Sequence, residues 1–285
     1  MNPGRPDTSS GSTGRRDTPD RKSRLDIFVS GLTQQASVVN ALALRELQQR
    51  YGRANIGYLW IIIEPLMLAS VISGLHSLAG HGWSSNDMSP FTFTLTGYTI
   101  YIIFRNSFNR SDGVLHNYSH LLYHRMITPF DIMLGKSIVE TIGCVSALVV
   151  LQTLGVMLGL SEFPARPIYL IEAIVLFSWF SFAACLLGGA YTFHSPLLER
   201  LIHPVSYFMM PLSGAFFTVS VLPVWARPYI LWNPTVPIFE LARYGQFEAA
   251  TDRYAHVGIA VAVNCILTYW GLLAIRRVRK DIHVS

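Results

Sequence analysis

Charge is what this chain has least of. Asp, Glu, Lys and Arg make up 14% of its 285 residues and 51% are hydrophobic, whereas a soluble domain carries about a quarter charged residues. The deficit argues against an ordinary soluble enzyme or binding domain and points to the integral membrane class. Cysteine is scarce as well. Cys144, Cys185 and Cys265 all fall in apolar runs without metal-ligand spacing, so neither a disulfide framework nor a cysteine-built metal site is expected. Catalytic signatures are missing: there is no HExxH, no nucleophile elbow, and no acidic pair repeated across the hydrophilic segments. Ser213 with His203 or His256 lacks the surroundings of an intramembrane protease dyad. Residues 1–24 have no apolar stretch and are rich in Ser, Thr, Gly, Pro, Arg and Asp. They do not read as a secretory signal; they read as a disordered cytoplasmic tail. The net charge of +5 resides mostly in segments flanking apolar runs, so it marks topology rather than nucleic-acid binding.

What is present is a series of apolar runs. Spanning a bilayer takes about 20 helical residues, and spans are expected near 59–79, 91–109, 132–160, 168–193, 204–222 and 256–275. Lys and Arg are dense up to residue 58, recur at Arg110, Arg125 and Lys136, and close the chain at Arg276, Arg277, Arg279 and Lys280. The alternate connections have none between 80 and 90, only Arg166 between 161 and 167, and Arg227, Arg243 and Arg253 in the longer segment 223–255. Positive charge stays on the cytoplasmic side, so six spans with both termini inside are predicted, in one permease domain over 25–285.

The first span has an unusual approach. Leu44, Leu47, Tyr51, Ala54 and Tyr58 follow at steps of three and four, while Arg45, Gln48, Gln49 and Arg53 point elsewhere. This pattern predicts an amphipathic helix lying in the membrane interface. It feeds into an apolar run from Leu59 to Leu78 that Glu64, Ser70, Ser73 and His76 interrupt, with Trp60 at the junction.

Between the second and third spans, Asn109 or Ser111 can cap a short helix whose Val114, Leu115, Tyr118, Leu121 and Leu122 share one face. Such a helix either docks in a partner's groove or lies on lipid. Pro129 is expected to close it and Asp131 to start the next span. From Pro211 to Phe247 the chain combines five prolines with Phe216, Phe217, Trp225, Tyr229, Trp232 and Phe239. That proline density excludes one long helix, and the apolarity predicts short helices dipping back into the membrane under protein cover. Gly155 to Gly159 forms a GxxxG, which fits either close helix approach or chance. Gly135-Lys136-Ser137 mimics the end of a phosphate-cradling loop, but Phe130 stands where a glycine is required. This chain is therefore not expected to bind ATP that way.

The order Arg-Glu-Leu at 45–47, Arg-Tyr at 50–51, Ile-Gly-Tyr-Leu-Trp at 56–60 and Glu-Pro at 64–65 resembles the leading motif of the membrane subunit of type-2 ABC exporters, in the polysaccharide branch. Leu-Leu-Tyr-His-Arg-Met-Ile-Thr-Pro-Phe-Asp at 121–131 and Met-Pro-Leu-Ser-Gly-Ala-Phe-Phe at 210–217 are more similar to capsule exporters than to O-antigen or teichoic-acid exporters. Asn233-Pro234, Glu240 to Arg243 and Phe247 also match the family. The resemblance covers the chain from about Leu25 and implies an all-α membrane protein with an interfacial helix, six spans and re-entrant helices before the last.

The resemblance also implies roles. Asp112, Leu115, Tyr118, Leu121, Leu122 and Arg125 would form the coupling helix that docks on an ATPase. Trp225, Tyr229, Trp232, Glu240 and Arg243 would belong to the re-entrant segment capping the channel outside. The implied assembly is two copies of this chain, an ATPase dimer that binds ATP and Mg, and a periplasmic co-polymerase. A lipid-linked capsular polysaccharide would be the cargo, in a bacterial inner membrane. Neither a cofactor, a metal nor a catalytic residue is expected in this chain. Arg45, Arg50, Arg53 and Arg105 lie near the cytoplasmic interface, where arginine suits a glycolipid phosphate, although positive-inside placement also accounts for them. Trp60, Tyr98, Tyr101 and Phe104 are candidates to line a passage by stacking on sugars, or are ordinary packing aromatics. Alternatives are an exporter of another glycan, of a drug or of a lipid, and a membrane-embedded glycolipid-modifying enzyme.

Overall fold

The computed structural model describes residues 24–51, 56–79, 88–114 and 127–282, and every regular element among them is helical. Most of the expected tail thus lies outside the described residues. The chain divides after Ser37 into two compact units. Of the first, the described part is the start of α1 (Arg24–Tyr51), where Phe28, Val29 and Leu32 are exposed. The Thr33 and Ser37 hydroxyls bond back to carbonyls of the preceding turn.

In the second unit, α1 continues with Val39 and Ala43 buried. Gly135 lets this helix lie close: a Cβ there would reach Leu42 and Ala43 at 3.4 and 3.5 Å. The packed face is therefore Val39, Leu42 and Ala43, while Leu44 of the predicted apolar face is exposed. In α2 (Ile56–Ala79), Trp60, Met67, Val71, Leu75 and Leu78 form an exposed stripe, whereas Ala69 is buried.

The centre of the unit is α3 (Pro90–Asn109), opened by a proline and buried along nearly its whole length. It packs against α2, α4 (Pro129–Met157), α5 (Pro167–His194), α6 (Pro196–Leu212) and α8 (Thr235–Gln246). Its threonines make it less apolar than α2, α4 and α5, although it is enclosed. Thr92, Thr94, Thr96 and Thr99 are all buried, and Thr92 bonds the Ser161 hydroxyl at 2.9 Å.

Pro129 opens α4, two residues before the expected start at Asp131, and the short helix expected before it lies mostly outside the described residues. Thr128 caps α4 through a capping box: its hydroxyl accepts from the Asp131 N–H, and Asp131 accepts from the Thr128 N–H at 3.0 Å. At the other end, Gly159 turns left-handed at φ +70°, and the Leu160 N–H bonds the Gly155 carbonyl at 2.8 Å. The GxxxG is thus a helix stop. Gly155 leaves room for Ser161 of the same turn.

The predicted fifth span, 204–222, is not one helix. α6 begins at Pro196, one residue after α5, and ends at Leu212. The chain then runs through a 3-10 turn at Val219–Val221 and the short α7 (Arg227–Ile230) to α8. At about 1.5 Å per residue, a helix of 17 residues is only about 25 Å long, short of a hydrocarbon core of about 30 Å. The last helix is α9 (Gly258–Ile282), packed chiefly on α5. Pro129–Met157, Pro167–Phe193 and Gly258–Val278 are long and apolar enough to cross a membrane, and Ile62–Leu75 is a shorter apolar stretch.

Candidate functional site

Among the described residues, three ion-paired clusters interrupt the apolar packing. The first joins α2 to α3. Tyr98 and Arg105 are seven residues apart on α3, two turns along one face, and Glu64 of α2 reaches between them. Its Oε1 accepts from the Tyr98 hydroxyl at 2.7 Å and from Arg105 Nη2 at 2.5 Å, while Arg105 Nη1 donates to the Tyr98 oxygen at 2.7 Å. The guanidinium also lies 5.7 Å from the ring centre of Tyr207 on α6. In the sequence Glu64 reads as an interruption of an apolar run and as half of the Glu-Pro motif, with no partner assigned to it. An acid followed by proline inside a span was the signal, since charge at membrane depth is expensive and persists with a partner.

The second cluster lies at the lower end of α3. Arg110 Nε pairs with Glu140 of α4 at 3.0 Å and its Nη1 with Glu46 of α1 at 3.5 Å. Asn106 donates to the other Glu140 oxygen at 3.2 Å. One arginine therefore ties three helices together, and the sequence reading had used Arg110 only to assign sidedness. Beside it, burial pushes the Asp112 carboxyl above the usual carboxylate range. Glu199 on α6 adds to the shift and His203 opposes it.

The third cluster organises the proline-rich segment. Asn233 accepts from the Thr235 N–H at 3.1 Å and donates to the Leu212 carbonyl at 2.8 Å. The Thr235 hydroxyl donates to the Ser213 carbonyl at 2.9 Å. Glu240 accepts from the Val219 N–H at 2.8 Å and pairs with Arg243 at 3.2 Å. Arg243 donates further to the Gly214 carbonyl and covers the Phe93 ring at 4.4 Å. The irregular backbone from 213 to 221 thus finds partners on α8. Glu240 and Arg243 are structural clamps inside the protein, whereas Trp225, Tyr229 and Trp232 stand at its surface, 74%, 75% and 83% exposed.

The remaining candidates scatter. Tyr98, Tyr101 and Phe104 are packed inside the unit at 5%, 1% and 3% exposure. Tyr101 donates to the Ser206 carbonyl, and Phe104 sits among Phe108, Phe177 and Phe180. Among the described residues these three rings are enclosed by packed neighbours, in contrast to Trp60, which is 56% exposed. Arg45 is half-buried on α1. Arg105 is enclosed and already paired. Arg53, Leu115, Tyr118, Leu121, Leu122 and Arg125 lie outside the described residues, as does the side chain of Arg50. Among the described residues no cluster of His, Cys, Asp and Glu could hold a metal.

A polytopic helical membrane protein with internal ion pairs is the class these observations define. The ABC-2 type transporter profile matches residues 37–247, and the chain belongs to that family. It is 32% identical to the capsule polysaccharide export inner-membrane protein CtrC of Neisseria meningitidis, over 90% of this chain and 96% of the relative. It is 31% identical to the capsule polysaccharide export inner-membrane protein BexB of Haemophilus influenzae, again over 90% and 96%. The polysialic acid transport protein KpsM of Escherichia coli is 28% identical over 88% and 97%.

Proposed function

We propose that this chain is the membrane subunit of an ATP-driven exporter of lipid-linked capsular polysaccharide in a bacterial inner membrane. The observation carrying the cargo is the near full-length similarity to capsule export proteins, which the motifs at 121–131 and 210–217 had pointed to. The functional unit is two copies of this chain with an ATPase dimer that binds ATP and Mg, and a periplasmic co-polymerase beyond them. Six spans, the fifth made of α6 and the irregular backbone that continues it past Leu212, place both termini in the cytoplasm. In that orientation the Arg110 cluster sits at the inner face and the clamped segment 213–234 at the outer.

Arg45, Arg50, Arg53 and Arg105 serve the phosphate of the glycolipid carrier, and Trp60 is the aromatic best placed to meet it. The exposed Trp225, Tyr229 and Trp232 form the outer rim. Asp112, Leu115, Tyr118, Leu121, Leu122 and Arg125 dock on the ATPase. The test is Leu121→Asp in the native host. Burying a leucine contributes about 1.5–3 kcal/mol, and the carboxylate in a closed groove adds a desolvation cost. The expected result is a normally inserted protein that no longer co-purifies its ATPase and leaves polymer inside. Full export with the ATPase retained removes the coupling role. If no ATPase accompanies even the wild-type chain, the exporter reading fails.

A further inference from the structure

Arg105 and Glu64 make an ion pair that is unusual in three ways. It is one-pronged: Glu64 Oε1 accepts hydrogen bonds from both Arg105 Nη2 and the Tyr98 hydroxyl, although arginine and carboxylate commonly pair through two parallel bonds. The guanidinium, with five N–H donors, spends one on Glu64 and one on Tyr98. The pair is also uneven in exposure, with the Glu64 side chain at 23% and that of Arg105 at 9%, so the carboxylate lies over the cation like a cover. Finally, its surroundings are those of a cation site. Arg105 lies 5.6 Å from the ring centre of Tyr98 and 5.7 Å from that of Tyr207. Tyr207, 57% exposed, and Phe208, 70% exposed, bring the site to the apolar surface.

The cover sits on a loosened turn. Pro65 lies inside α2, lacks an N–H, and so leaves the Ile61 carbonyl without its helical donor. Trp60 and Met67 flank it outwardly at 56% and 50% exposure. A carboxylate that swings on such a turn uncovers a guanidinium with spare donors.

We propose that Glu64 is a resident counter-ion that an oxyanion of the phosphate class displaces from Arg105. Tyr98 and Tyr207 hold the guanidinium in place during the exchange. In the resting state Glu64 neutralises Arg105 within the membrane. When a lipid-borne phosphate arrives from the side of Tyr207, its oxygens take the Arg105 donors and Glu64 turns toward the exposed face of α2. No bond is made or broken in this exchange. The inference rests on the permease reading for its biological ligand, but the site itself is testable without export.

The experiment uses the full chain purified into phosphatidylcholine nanodiscs, with dioleoyl phosphatidic acid as the probe and retained lipid read by native mass spectrometry. Wild type should retain phosphatidic acid over phosphatidylcholine. Glu64→Gln removes the competing charge and should tighten retention by roughly tenfold, the worth of about one charge-assisted hydrogen bond. Arg105→Gln should abolish the preference. The doubly neutral variant E64Q/R105Q carries no unpaired buried charge, so it guards against misfolding, and it too should show no preference. Competition by inorganic phosphate assigns the site to the bare anion; failure to compete assigns it to a lipid-borne one.

Equal retention by wild type and E64Q/R105Q overturns the proposal, as does an E64Q protein that binds no tighter. Lost lipid preference in E64Q/R105Q with export unimpaired overturns the exchange as a transport step and leaves the permease reading standing. An intact anion site in a chain that recruits no ATPase does the reverse.

Discussion

Gly97 packs against the backbone of Ala215 so closely that any side chain at 97 would occupy the place of the Ala215 carbonyl. This contact brings the irregular segment after α6 against the centre of α3. Gly97→Ala must push the segment away, and over-packing of this kind costs about 1–3 kcal/mol. Thermal unfolding of the detergent-purified protein should show a clear loss for Gly97→Ala. The same change at Gly74, where a Cβ meets nothing within 4 Å, should be neutral or slightly stabilising. Equal midpoints for the two would refute the close approach.

The clamp between Glu240 and Arg243 should behave as a coupled unit. Removing one partner of a buried ion pair costs about 3–5 kcal/mol because the other charge stays enclosed. Arg243→Met strands Glu240 and also leaves the Gly214 carbonyl without its donor. Glu240→Gln strands Arg243 and weakens the bond to the Val219 N–H. The double variant should therefore be less destabilised than the sum of the singles, by 1 kcal/mol or more (about the size expected within one network). Additive losses would show that the two side chains act separately.

Sidedness can be read with two engineered thiols. Phe163, in the turn between α4 and α5, is 69% exposed, and Leu197, at the start of α6, is 66% exposed. Cys265 is exposed while Cys144 and Cys185 are buried, so Cys265→Ala provides a quiet background. A membrane-impermeant maleimide applied to intact spheroplasts should label Phe163→Cys and spare Leu197→Cys; inverted vesicles should give the opposite. The reverse pattern would invert the orientation proposed above.

The elements most legible in the sequence were those set by composition alone. The runs near 132–160 and 168–193 became α4 and α5 with ends shifted by a few residues, because an apolar run and a capping residue are both local signals. The end of α6 was not local. Hydropathy carries on past Leu212, but the helix stops there because Gly214 turns left-handed at φ +91°. The carbonyls of Leu212, Ser213 and Gly214 are instead taken by Asn233, Thr235 and Arg243. Partners more than twenty residues away decided it. Glu64 was hidden for a similar reason: its meaning depends on the register of α2 against α3, which no single helix discloses. The same enclosure explains Tyr98, Tyr101 and Phe104, whose spacing on one face fits a passage and a core equally well until their neighbours are known.

Ser195 closes α5 and opens α6, and a joint one residue long can pivot but has no slack. At its far end α6 is held again, where Asn233 and Thr235 grip the carbonyls of Leu212 and Ser213. The helix is in effect a strut pinned at both ends. A strut loaded at one pin yields where it is weakest, and here that is the stretch between Pro204 and Pro211, each of which lacks a backbone hydrogen bond. Tyr207 lies midway along that stretch. A push delivered at the Ser195 corner would be felt as a bow at Tyr207, whose ring centre lies 5.7 Å from the Arg105 guanidinium.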